Sequence, residues 1–149
     1  IKSVIESGED VYVLCEGDPF FYGSFMHIYE RLRFEAPIEV IPAITGMSAA
    51  WTATGLPITW GDNILTILTG TLSKEVLVDK ISTTDAAVIM KVGQNLDKIR
   101  AAIILAERES DAFIVEYAAM SNQSVCKLVE YTKAVAPYFS IIVLHGEAK

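Results

Sequence analysis

Val11-Tyr12-Val13-Leu14-Cys15 runs without a break into Glu16-Gly17-Asp18-Pro19. Consecutive apolar residues bounded by a turn have the length and make-up of a strand buried on both faces, as in a parallel sheet. Each turn residue has a physical use. Gly17 lets a ligand approach the backbone without a Cβ in the way. Asp18 precedes proline and is biased towards extended geometry. Pro19 can open a helix without losing a hydrogen bond. Beyond it, Phe25, Ile28, Tyr29 and Leu32 recur at i, i+3, i+4 and i+7, an amphipathic helix with Ser24 near its start. Before it, Lys2 to Ser7 reads as the end of a helix stopped by Gly8. Strand, turn and helix in this order predict an α/β protein, in which ligands bind outside the carboxyl ends of the strands. Free amides at such a turn suit a carboxylate or a ribose. An ordinary strand-to-helix turn is the alternative, since short glycine motifs are weak by themselves.

A second junction has the same form. Glu39 to Ile41 reads as a short strand ended by Pro42, and a helix from about Thr45 to Thr54 is stopped by Gly55. Thr45 is placed to cap that helix, and Gly46, Ser48 and Ala49 are small enough for close approach. Two such junctions on one sheet edge would make a crevice. Gly55-Leu56-Pro57-Ile58-Thr59-Trp60-Gly61-Asp62 then reads as a domain boundary. Strands follow at Ile64–Leu68, Ala86–Met90, Ala112–Glu116, Val125–Val129 and Ser140–Leu144. Helices are expected at Ser73–Ile81 and around Leu96, Ile99 and Ile103. The first lobe thus alternates strand and helix, and the second begins that way and ends in strands, which predicts a mixed sheet.

The 149 residues are 52% hydrophobic and 21% charged, which excludes disorder, collagen and a coiled coil. Net charge is 12 − 19 = −7. The pI is near 4.8, so nucleic acid and anionic membrane are not expected partners. Mean hydropathy is +0.37, yet no apolar run reaches the roughly 20 residues of a membrane span. No signal peptide or lipidation motif is read, and a cytoplasmic location is expected. Cys15 and Cys126 are too few for a disulfide framework or a zinc site and read as small buried hydrophobes.

Nucleophile-elbow, P-loop and His-Glu-x-x-His motifs are absent from the sequence. His27 reads as a helix-surface or half-buried residue, and His145 lies near the carboxyl end. Glu16 and Asp18 could share acid–base work, with a turn role for Asp18 the stronger reading. Tyr117, Tyr131, Tyr138 and Phe139 read as core or pocket wall rather than a base-stacking platform.

Cys15-Glu16-Gly17-Asp18-Pro19-Phe20-Phe21-Tyr22-Gly23-Ser24-Phe25-Met26 resembles the Gly-Asp-Pro motif of the tetrapyrrole (corrin/porphyrin) methylase family. Val40-Ile41-Pro42-Ala43-Ile44-Thr45-Gly46 and Thr54-Gly55-Leu56-Pro57-Ile58-Thr59 are similar, in order, to two further family segments. Val88-Ile89-Met90-Lys91-Val92-Gly93 and Pro137-Tyr138-Phe139-Ser140 resemble segments of members that methylate a meso carbon. The resemblance implies a two-lobed α/β fold with S-adenosylmethionine in the cleft between the lobes. Residues 1–58 would be the second half of the amino-terminal lobe and 59–149 the carboxyl-terminal lobe.

Cofactor contacts, mostly from backbone, are implied at Glu16, Gly17, Asp18, Thr45, Gly46, Met90, Ala118 and Tyr138. The implied activity is C-methylation of precorrin-2 at its C20 meso position in cobalamin biosynthesis, leaving S-adenosylhomocysteine. The cobalt-containing form of that substrate stays open, as does a non-catalytic α/β ligand-binding or dimerisation module. The resemblance also implies a homodimer and no metal. Tyr22, Arg31 and Lys91 are candidates for the polycarboxylate substrate, with Arg33 and Arg100 further possible cations; no catalytic base is assigned. Two departures stand out. Ala43 occupies a position where the family usually has glycine. The family's opening strand and Gly-x-Gly-Pro-Gly turn do not occur, so the chain reads as the carboxyl-terminal portion of a protein of roughly 240 residues.

Overall fold

The computed structural model of the chain describes residues 1–148. Lys149, the last residue of the expected carboxyl-terminal lobe, lies outside the described residues. The chain divides into two compact units, Ile1–Gly46 and Met47–Lys149. The division falls earlier than the boundary expected between Ile58 and Thr59. The cause is helix α3 (Gly46–Ala53). Its Ala50 is fully buried in one apolar cluster with Val115 and Val143, so the helix packs with the later residues.

The first unit holds two helices, α1 (Lys2–Glu6) and α2 (Phe25–Leu32). Gly8, at φ +82°, turns the chain out of α1 as expected. Ser24 sits at the N-cap of α2, but its own backbone is helical and its hydroxyl caps nothing. The helix is instead steadied by aromatic packing, with Phe20 edge-on to Tyr29 at 4.7 Å between centroids. Leu32 is the single buried residue of the unit.

Neither of the two strands expected here forms. Val11–Cys15 and Glu39–Ile41 carry no ladder. A strand exists only through a hydrogen-bonded neighbour, and the unit offers none. The run keeps a two-faced pattern all the same: Tyr12 and Leu14 are 84% and 96% exposed, Val11 and Val13 about half as much. Cys15 is likewise exposed rather than buried. The inner faces line an apolar hollow of about 600 Å³ with Ile5, Phe25, Ile28, Leu32 and Val40.

The second unit is built on five strands: β1 (Leu65–Thr69), β2 (Ala86–Met90), β3 (Ala112–Glu116), β4 (Ser124–Lys127) and β5 (Ser140–Leu144). Their order is β1-β2-β5-β3-β4. The β1–β2 pair is parallel; β5 is antiparallel to both of its neighbours, and β4 is antiparallel to β3. This is the mixed sheet that the residue pattern predicts. Helix α4 (Lys74–Ser82) starts at Ser73, whose hydroxyl accepts the amide hydrogen of Val76. Helix α5 (Leu96–Leu105) lies beside it. Leu77 and Ile81 of α4 and Leu96, Ile99 and Ile103 of α5 are fully buried with Ile89, Ile114 and Ile142 of the sheet. Each such side chain is worth about 2 kcal/mol of transfer free energy. Val115 and Val143 face the other way, towards α3. The central strands are therefore covered on both faces, which is why they read as continuous apolar runs.

Candidate functional site

In the first unit the two glycine-bearing junctions are joined by one side chain. Asp18 Oδ1 accepts the amide hydrogen of Phe20 at 2.9 Å, and Oδ2 accepts that of Ala43 at 3.1 Å. Both oxygens are engaged by backbone, so Asp18 shapes a turn. Gly17 sits at φ +90°, a conformation open to glycine, and a Cβ there would come within 3.5 Å of the Ile44 carbonyl oxygen and 3.7 Å of the Gly46 nitrogen. Glu16, Gly17, Asp18, Thr45 and Gly46 thus lie in one loop pair. Ala43 fits where glycine was expected, because the contact it makes uses its N–H. Tyr22 follows the motif at φ +54° and lies edge-on to Phe21. Arg31 is exposed in the last turn of α2, and His27 is exposed on the same helix.

In the second unit the register assembles a rim. Because β5 is antiparallel to β2 and β3, its first residue lies at the edge where the other two strands end. Ser140 pairs with Glu116, Thr69 with Met90, and Ile142 with Ile89. Met90, the Tyr117–Ala119 turn and Tyr138 are therefore on one sheet edge, and three expected cofactor residues share it. This is the carboxyl edge of β1, β2 and β3, where open α/β sheets bind ligands. Backbone strain gathers there too. Of five non-glycine residues at positive φ among the described residues, Lys91, Tyr117 and Ala119 are on this rim. Tyr117 donates its amide hydrogen to the Phe139 carbonyl at 2.8 Å, which ties the turn to the segment before β5. Tyr138 is 89% exposed on its outer side. It is a rim residue, not the core residue that its apolar surroundings suggested, because it precedes the strand.

A buried polar cluster lies under this rim. Glu116 accepts hydrogen bonds from the Tyr131 hydroxyl and from Lys133 Nζ, the latter at 2.9 and 2.8 Å to its two oxygens. Burial pushes the Glu116 carboxyl up, but Lys133 and Tyr131 outweigh it and hold the group below its ordinary value. Burial and the Glu116 carboxylate both push the Tyr131 phenol up. Arg100 donates to the carbonyls of Tyr131 and Lys133, so it braces this segment and is spent as a substrate cation. Arg33 is engaged as well, with Glu30 at 3.3 Å and over the Phe34 ring. Among the described residues, no group of three or more His, Cys, Asp or Glu side chains is placed to hold a metal ion. No helix among the described residues is long and apolar enough to cross a membrane.

Residues 1–132 match the family described as Tetrapyrrole (Corrin/Porphyrin) Methylases. The chain belongs to the tetrapyrrole methylase family. A precorrin-2 C(20)-methyltransferase from Sinorhizobium sp is 46% identical over 146 residues, 98% of this chain and 60% of that protein. The chain thus spans less than two thirds of the length of that curated relative. A solved cobalt precorrin-4 methyltransferase, 19% identical, superposes with a TM-score of 0.82 over 97% of this chain and 67% of its own. A uroporphyrin-III C-methyl transferase from Thermus thermophilus, solved with S-adenosylhomocysteine, is 22% identical, with a TM-score of 0.60 over 85% of this chain and 62% of its own.

As a tetrapyrrole methylase, the chain has the mixed α/β fold of those structures and carries part of their length. The glycine turns stand out in the sequence as short motifs, while Met90, Ala118 and Tyr138 are named only through the family resemblance. Sequence reading missed Glu116, Tyr131 and Lys133, which no short motif connects. One signal was available: Glu116 is in phase with Ala112 and Ile114, the inward positions of β3. A carboxylate at an inward position needs a partner.

Proposed function

We propose that this chain is part of an S-adenosylmethionine-dependent methyltransferase that methylates precorrin-2 at C20, giving precorrin-3A, in cobalamin biosynthesis. The observation that carries this reading is the 46% identity to a precorrin-2 C(20)-methyltransferase across 98% of the chain. The site geometry supports a nucleoside cofactor in each unit separately. In the first, Gly17 holds φ +90°, a backbone conformation that favours glycine, and leaves uncovered the backbone of residues 44–46 that a Cβ would touch. In the second, Met90, Ala118 and Tyr138 share the carboxyl edge of the sheet, with Glu116 satisfied beneath them.

The cofactor supplies an electrophilic methyl group on a sulfonium. The chain's own residues then have three tasks. Glu16, Gly17, Asp18, Thr45 and Gly46 offer backbone to the cofactor, with Asp18 holding the two junctions in register. Met90, Ala118 and Tyr138 supply the rim. Lys91 on the rim and Arg31 on α2 are the proposed cations for a polycarboxylate, and Tyr22 borders the motif. Alignment of methyl donor and carbon nucleophile, with water excluded, is what a protein adds to such a displacement. The reading includes a homodimer and a cytoplasmic location. Ile104, Leu105 and Val129 are exposed apolar residues that a self-association would cover.

The test is in two steps. Isothermal titration with S-adenosylhomocysteine is expected to give saturable one-to-one binding. This chain by itself is expected to be inactive; incubation of the intact protein with S-adenosylmethionine and precorrin-2 under anaerobic conditions is expected to add one methyl group, located at C20 by NMR of the product. Transfer to cobalt-precorrin-2 and not to precorrin-2 would move the substrate to the cobalt-containing form. Absence of binding by this chain would move the titration to the intact protein, and absence there too would overturn the methyltransferase reading in favour of a non-catalytic module.

A further inference from the structure

We propose that Glu116 and Lys133 are a positioning pair that sets the rim turn Tyr117–Ala119 and the Tyr138–Phe139 segment against each other. The proposal rests on the cofactor-site reading of that rim.

Glu116 is 4% exposed, at the end of a strand whose other inward residues are apolar. Burying a carboxylate is costly, and replacing such a pair with apolar residues often stabilises a fold. A buried carboxylate at a strand end, directly below a strained turn and held from the surface by Lys133, points to a geometric role. The connections support one. Glu116 immediately precedes Tyr117, which is held at φ +52°. Lys133 and Tyr131 lie on the segment that leads to Tyr138, Phe139 and β5. The Glu116 carboxylate ties the two stretches by side chains, and the Tyr117 amide ties them again through the Phe139 carbonyl. Ala136 donates its amide hydrogen to the Gly93 carbonyl at 3.3 Å, which brings the loop after β2 into the same bracket. The cluster thus joins the end of β3 to the segment that leads to Tyr138, and the backbone of that segment reaches the loop after β2. Ser140, opposite Glu116 in the register, has a buried hydroxyl without a protein partner, so its side chain adds no bond to those of the backbone at the start of β5. The pair has an uneven exposure: the Lys133 side chain is 56% exposed and that of Glu116 5%. The bracket is thus open to salt from one side.

The experiment combines amide hydrogen exchange of the whole chain with S-adenosylhomocysteine titration, for the wild type, Lys133→Met, Lys133→Arg and Glu116→Gln. Lys133→Met is expected to speed exchange at residues 117–120 and 138–140 by about tenfold or more, on the scale of local opening, while Val88 and Ile142 keep their protection. It should weaken S-adenosylhomocysteine by about tenfold, one decade of dissociation constant. Lys133→Arg should restore both, and Glu116→Gln should resemble Lys133→Met. High salt should loosen the rim of the wild type and leave Lys133→Met unchanged. Unaltered exchange at 117–120 in Lys133→Met, or an equal rise across the whole sheet, would overturn the proposal. A wild type that binds no S-adenosylhomocysteine would count against the cofactor reading alone, because the exchange arm still decides whether the pair positions the rim.

Discussion

The Asp18 carboxylate bridges Phe20 beside it in the chain and Ala43 far from it, one oxygen to each amide. The second bond closes a loop of 25 residues. Asp18→Ala removes both acceptors and is expected to cost about 1–2 kcal/mol. Asp18→Asn should be intermediate, because an amide has one acceptor oxygen and must turn its NH₂ towards one of the two donors. S-adenosylhomocysteine titration of both variants checks the order: affinity should fall from wild type to Asn to Ala. Equal affinity in all three would separate Asp18 from the cofactor site.

His145, at the end of β5, has Nδ1 2.9 Å from the Pro57 carbonyl and Nε2 3.0 Å from the Thr54 hydroxyl. The carbonyl can only accept, so Nδ1 carries a proton, and the single hydroxyl hydrogen of Thr54 is shared between Nε2 and the Trp51 carbonyl, 2.7 Å away. Burial is the main cause holding His145 below its ordinary value of 6.5, and the Pro57 carbonyl opposes it only in part. The unfolded chain then takes up a proton before the folded chain does. Stability from this group is complete above 6.5 and declines as the pH falls through the depressed folded value. Urea denaturation midpoints should drop between pH about 7.5 and about 5.5 in the wild type. His145→Gln should start lower and show a flatter dependence over the same range. Glu116 does not confound this, since its shift acts below its own ordinary value of 4.5.

Gly70 follows β1 where the chain passes under α5. A Cβ there would lie 2.7 Å from Ile99 Cδ1 and 2.8 Å from the Lys91 carbonyl oxygen. The isoleucine end can swing away, but the carbonyl belongs to a residue already at positive φ. Gly70→Ala is expected to destabilise by about 1–3 kcal/mol through overpacking. Chemical denaturation measures it, and a neutral result would mean that the Lys91 backbone yields freely.

Arg108 gathers chain ends that no secondary structure joins. Nε meets Asp111 Oδ2 at 2.5 Å, and the two Nη groups reach the carbonyls of Thr84 and Asp85 at 2.8 Å and of His145 at 3.3 Å. A lysine has one charged centre and cannot span this fan. Arg108→Lys should cost about 2–3 kcal/mol, as lost charge-assisted bonds do. The denaturation midpoint should fall with the slope unchanged.

The strands that were legible share one property. Ala86–Met90, Ala112–Glu116 and Ser140–Leu144 are apolar along their whole length and end in turns, because helices cover both faces of the sheet. Val11–Cys15 has the same pattern without the outcome. Its residues declare a preference, but a strand is a relation between two segments, and no second one pairs with it. At the site, Gly17 and Asp18 were legible because their chemistry is local. The bracket of Glu116, Tyr131 and Lys133, the arginine fans and the His145 clasp were not. Each depends on residues brought together by the sheet order, which no spacing along the chain encodes.

That order has a consequence for synthesis. Of the five described strands the latest in chain order, β5, lies in the middle of the sheet, between β2 and β3. Until Ser140–Leu144 exists, β1–β2 and β3–β4 are two separate ribbons with open inner edges. The second unit therefore cannot close as it leaves the ribosome, and its helices α4 and α5 wait on an incomplete floor. Assembly is deferred until Ser140–Leu144 has emerged, when a single segment inserts between two ribbons and converts them into one sheet.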